Sequence, residues 1–282
     1  MPIAEANGVK LYYEVTGEGF PLVLCHEFGD SLRSWEPQVK FFARRYRVIT
    51  YNYRGFPPSK VPEEAKAYSQ DIFIEDLHQL LRFLGVNLSF IGGCSMGGSI
   101  ALQFGITHPE MCKGLVIAGA GTGTTDRRNF ETKFAKVASD LETEGWKVVA
   151  NRYAREPNRL PLLRKDPRSW QEFYEELSGH ASQASARIIR GVIMKRPTIF
   201  ALETELERLR VPTLIMVGDE DTFCIEPSVF MKRHIPGSGL VVFPQSGHAI
   251  NLEEPDAFNR VVLDFLTLVE AGKWATRQTL ST

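Results

Sequence analysis

The sequence predicts an α/β fold: a mostly parallel, doubly wound sheet opened by an antiparallel hairpin, with a helical cap inserted between two strands. Three observations predict it. Short continuous apolar runs recur along the 282 residues, helical patterns separate them, and the alternation stops between about 122 and 210, where only charged helical stretches occur. Runs of four or five apolar residues suit strands buried on both faces. Strands alternating with helices read as repeated β-α-β crossovers.

In chain order, residues 3–6 and 9–15 alternate around Asn7-Gly8, a dipeptide suited to a hairpin turn with two positive φ angles. Buried strands are then expected at 21–25, 47–51, 88–91, 114–118, 213–217 and 240–243. Helical patterns lie at 34–44, 69–84, 96–108, 227–234 and 255–269. Within the interruption, helical stretches at 130–144, 146–155, 168–178, 181–194 and 199–209 are punctuated by Pro157, Pro161, Pro167 and Pro197. The predicted organisation is a core of 1–121 and 211–282 and a cap of 122–210. The polar tail after Gly272 is expected to fray.

Composition narrows the function classes. The chain carries 33 Lys plus Arg against 34 Asp plus Glu, a formal charge of −1, so no basic excess exists to neutralise nucleic-acid phosphates. No apolar run is long enough for a membrane-spanning helix, and the N-terminus lacks the basic start and apolar run of a secretory signal. Cys25, Cys94, Cys112 and Cys224 have no metal-ligand spacing and read as reduced, buried thiols, which suits a cytoplasmic address.

Gly93-Cys94-Ser95-Met96-Gly97 sits between a strand and a helix. A turn that tight strains the serine backbone, and residues without a side chain must flank it. A plain Gly-Ser turn is the bland alternative. A serine hydroxyl needs a base, and the base an orienting acid. Of six histidines, His248 lies in a loop after the last strand; His26, His78, His108, His180 and His234 have structural or surface readings. Gly218-Asp219-Glu220-Asp221 follows the strand at 213–217, with Asp221 placed to reach the histidine and Asp219 to hold the turn. The order Ser95, Asp221, His248 is that of an elbow-borne triad. Cys94 is expected to pack beneath the elbow. Trp35, Phe56 and Trp146 read as core, with an acyl pocket as the alternative.

Together with His26-Glu27-Phe28-Gly29 and Arg54-Gly55-Phe56, these pieces resemble the α/β-hydrolase fold superfamily over 8–121 and 211–268, with Ser95-Met96-Gly97-Gly98 most similar to its small esterase and perhydrolase-like branch. The resemblance implies a serine hydrolase that forms an acyl-enzyme, with an oxyanion hole from the Phe28 and Met96 amides, His26 shaping the loop, and no metal or organic cofactor. Haloalkane dehalogenases and epoxide hydrolases use an aspartate where Ser95 stands. Carbon–carbon hydrolysis of ring-cleavage products is the runner-up, although those enzymes often place Trp after the histidine and this chain has Ala249. A non-catalytic ligand receptor is the alternative from another class. A cap over the site favours a small or medium organic substrate as partner, and a homo-oligomer stays open.

Glu27 departs from the family's usual glycine. A free carboxylate about 6 Å from a developing oxyanion would oppose it by roughly 3 kcal/mol, about a hundredfold in rate. The expectation is that Glu27 turns away to pair with Arg54, or else faces solvent.

Overall fold

A computed structural model describes residues 1–276 of the chain. Eight strands form one sheet in the order β1-β2-β4-β3-β5-β6-β7-β8. They are β1 Ile3–Ala6, β2 Val9–Thr16, β3 Phe20–Cys25, β4 Tyr46–Tyr51, β5 Ser89–Cys94, β6 Cys112–Ala118, β7 Thr213–Gly218 and β8 Ser238–Phe243. The first three in spatial order run antiparallel, and every pairing from β4 to β8 is parallel. Asn7 and Gly8 both take positive φ, 47° and 73°, between the hairpin strands.

The strand alternation builds two cores. In β3, Leu22 and Leu24 join one apolar cluster, and Val23 and Cys25 join the other on the opposite face. The first face is covered by α1 Glu36–Phe42 and α12 Pro255–Glu270, the second by α2 Gln70–Phe83 and α3 Met96–Thr107. Helix α10, Thr222–His234, connects β7 to β8, and the short α11 is Ile250–Glu253.

Between β6 and β7 the described chain contains no strand. It forms α4 Arg127–Thr143, α5 Trp146–Tyr153, α6 Leu160–Lys165, α7 Pro167–Gly179, α8 Ser182–Ile188 and α9 Glu203–Arg208. Helix α6 escaped the sequence reading because Pro161 looked like punctuation; it occupies the first turn, where its missing N–H has no intrahelical partner to lose. Helix α10 starts five residues before Pro227 and runs through it. Trp274 corrects the expectation of a frayed tail: its indole N–H donates to the Gly237 carbonyl at 2.8 Å and its ring packs on Phe265. Residues 277–282 of that tail lie outside the described residues. All four cysteines are buried free thiols.

Candidate active site

Ser95 is the first residue after β5 and adopts φ 55°, ψ −113°, a backbone region that a residue with a side chain occupies only at a cost of about 1–3 kcal/mol. Its neighbours explain how it is held. A Cβ on Gly97 would meet the Cys25 carbonyl oxygen at 2.1 Å, and one on Gly93 the Gly97 oxygen at 2.2 Å. β3 and the elbow therefore touch backbone to backbone, and only glycine permits it. Cys94 points the other way and is buried, its thiol donating to the His248 carbonyl at 3.5 Å; burial pushes its pKa well up and keeps it a neutral thiol.

Three residues from distant parts of the chain converge here. His248 Nε2 lies 2.7 Å from Ser95 Oγ, and its Nδ1 lies 2.6 Å from Asp221 Oδ2. Asp221 is wholly buried at the N-terminus of α10, while Asp219 accepts the Ser246 N–H and ties the β7 turn to the histidine loop. Burial pushes the His248 pKa down, but the Asp221 charge and hydrogen bond together outweigh it, and the net shift is upward. Both ring nitrogens are engaged, so the imidazole has a fixed orientation.

Phe28 and Met96 line the same pocket as Ser95 and His248, and the amide of neither donates to a protein group among the described residues. Met96 begins α3, where amides lack intrahelical partners and the helix end favours negative charge. Just before Phe28, His26 is buried, with Nδ1 2.6 Å from the Glu27 carbonyl oxygen; burial lowers its pKa to about 3.

Glu27 does not pair with Arg54 and does not face solvent. Its two carboxylate oxygens accept from Arg159 Nη1 and Nη2 at 3.0 and 2.7 Å, with both side chains about 5% exposed. The guanidinium lies over the rings of Tyr153 and Phe173, 4.9 and 4.8 Å from their centroids. Burial pushes the Glu27 pKa up, yet the Arg159 charge and hydrogen bonds outweigh it and hold the carboxyl below its usual range. Arg54 is engaged elsewhere, by Asp76 at 2.5 and 2.7 Å. The expected pair failed because α2 carries an acid directly beneath Arg54, whereas Glu27 faces the β6–β7 helices.

That segment supplies further residues the sequence did not single out. The Asn158 carbonyl accepts the His248 N–H at 2.8 Å, and Arg196 lines the pocket beside Ser95. From α11, Glu253 accepts the amides of Gly247 and Ala249, on either side of the histidine, and burial lifts its carboxyl to about 7. Trp35, Phe56 and Trp146 are buried core residues that do not line this pocket. Among the described residues, Asp221, Cys224 and His248 are close enough to share an ion, but in this structure both His248 ring nitrogens are already engaged, Nδ1 by Asp221 and Nε2 by Ser95. Two other such clusters, Glu75-His78-His108 and Glu203-Glu207-His234, lie away from the pocket.

A sequence model of the alpha/beta hydrolase fold family matches residues 21–255, most of the chain and every element of this site. The chain belongs to the alpha/beta hydrolase fold family. Among its relatives, the 2-hydroxymuconate semialdehyde hydrolase of Pseudomonas sp. strain CF600 is 27% identical, covering 95% of this chain and 94% of its own. A thermophilic esterase from Thermogutta terrifontis, solved with malate bound, is 26% identical with a TM-score of 0.82, over 93% of this chain and 94% of its own. A bromoperoxidase from Bacillus anthracis is 27% identical with a TM-score of 0.82, over 94% and 99%. The two solved structures thus share this chain's architecture over more than nine-tenths of its length. No helix among the described residues is long and apolar enough to cross a membrane.

Proposed function

We propose that the protein is a serine hydrolase that cleaves an ester or related acyl bond of a small organic substrate through an acyl-enzyme. The observation that carries this reading is the continuous hydrogen-bonded chain from Ser95 Oγ through His248 to Asp221, opening on a pocket with two uncommitted amides. In the proposed reaction Ser95 Oγ attacks the acyl carbon while His248 Nε2 takes its proton. The oxyanion is received by the Phe28 and Met96 N–H groups. The imidazolium, stabilised by Asp221, then protonates the departing alcohol. Water, deprotonated by the same nitrogen, frees the acid product.

The six helices between β6 and β7 act in this reading as the cap, residues 122–210, against a core of 1–121 and 211–282. Asn158 and Arg159 fasten that cap to the histidine loop and to the oxyanion loop. The pocket, about 90 Å³ with both polar and apolar lining, suits a small organic substrate.

A second reading, carbon–carbon hydrolysis of a ring-cleavage product, is favoured by the likeness to the Pseudomonas semialdehyde hydrolase and by an elbow that serves both chemistries. The test of the main reading is a fluorophosphonate probe. Labelling is expected at Ser95 and lost in Ser95→Ala. A well-folded protein that resists the probe would favour the non-catalytic receptor instead. A panel of p-nitrophenyl esters beside a lactone and a vinylogous diketone separates the acyl and carbon–carbon readings.

A further inference from the structure

The pocket beside Ser95 contains a buried positive charge that the proposed chemistry does not use. Arg196 follows α8 in the chain and is only 7% exposed. Nη1 donates to Ser99 Oγ at 3.2 Å and Nη2 to the Thr122 carbonyl at 3.0 Å, both neutral acceptors. A guanidinium carries five N–H donors, so these two bonds leave most of its fork uncommitted. Among the described residues it pairs with no carboxylate.

The other charged side chains at this pocket are paired or exposed to solvent. Arg159 is neutralised by Glu27, and Lys133 by Glu156. Asp126 is exposed and caps α4 by accepting the Asn129 N–H. The nearby Cys224 thiol offers no countercharge, because burial raises its pKa well above the usual value. Burial also lowers Arg196 to about 10, which still leaves it charged near neutral pH. Holding an ionised group out of water without an opposite charge is costly. A substrate anion would remove that cost.

Its position sets the spacing. Ser99 lies one helical turn beyond Ser95 on α3, and its N–H donates to the Ser95 carbonyl at 3.0 Å. Four residues of helix rise about 6 Å. We infer that Arg196 is an anion subsite, and that the natural substrate is an ester, lactone or related acyl compound carrying a carboxylate a few atoms from its scissile carbonyl. This inference rests on the hydrolase reading for the reaction and on Arg196 alone for the charge. The planar fork matches a carboxylate in two parallel hydrogen bonds, which an ammonium cannot reproduce.

The test is calorimetric titration of the full-length protein with glutarate and with its uncharged diamide, run on the unmodified protein, Arg196→Gln and Arg196→Lys. The unmodified protein should bind glutarate at least tenfold more tightly than the diamide. Arg196→Gln should bring that ratio close to one, and Arg196→Lys should keep part of it. A purely structural Arg196, bracing Ser99 and Thr122, would leave the ratio near one in the unmodified protein, which would overturn the inference. So would a ratio that survives Arg196→Gln. If the Gln variant does not fold, the unmodified protein and the Lys variant decide by the same ratio. Fluorophosphonate labelling of the same samples separates the two claims. Glutarate selectivity without labelling sinks the hydrolase reading and keeps the anion subsite; labelling without selectivity does the reverse.

Discussion

Arg159 holds both carboxylate oxygens of Glu27, at 2.7 and 3.0 Å, and so joins the β6–β7 helices to the loop that carries the Phe28 amide. The pair is buried, with two aromatic rings packed on the guanidinium. An acid at this position is compatible with the proposed oxyanion site because its charge is already matched.

Breaking that pair from one side should be costly. Arg159→Met leaves a buried, unpaired carboxylate and is expected to lower unfolding stability by about 3–5 kcal/mol. Replacing both partners, Glu27→Met with Arg159→Met, should recover most of the loss, because no orphaned charge remains. Urea denaturation of the two single variants and the double variant measures this. Additive losses would show that the pair acts as two independent packing residues.

The pH dependence follows from His248. Only the neutral imidazole can take the Ser95 proton, and Asp221 shifts the His248 pKa upward despite burial. Activity should therefore fall as pH drops through a value above the ordinary histidine value of about 6.5. The acidic limb of kcat/KM on a chromogenic ester reads this value. A limb at or below 6.5 would contradict the assigned role of Asp221.

Asp221→Asn tests the same contact by a second route. The amide keeps the shape, removes the charge and no longer selects the tautomer with the proton on Nδ1. Turnover should drop by about 10⁴. Because burial persists while the opposing charge is gone, the acidic limb of the residual activity should move to lower pH. An unmoved limb would assign the titration to another group.

Gly97→Ala probes the elbow. The added methyl would strike the Cys25 carbonyl at 2.1 Å, a contact with backbone that no rotamer relieves. Loss of stability near the upper end of the overpacking range, about 3 kcal/mol, is expected in thermal or urea unfolding, together with loss of fluorophosphonate labelling. Gly85, with nothing within 4 Å of an added Cβ, is the control for space, although its φ of 67° makes Gly85→Ala mildly strained.

What the sequence determined by itself is everything whose signal is local. Continuous apolar runs located the sheet strands, because burial on both faces leaves a pattern within five residues. Gly93 and Gly97 around Ser95 announced a turn too tight for side chains, and the acid and histidine each followed a strand at its C-terminal end. What only the tertiary structure decided is which charges meet. Glu27 finds Arg159 across 132 residues, and Arg196 comes to rest against Ser99 across 97. With 33 basic residues on offer, nothing near Glu27 in the chain selects among them. The selection is made by helices whose amphipathic pattern records that one face is buried but not against what.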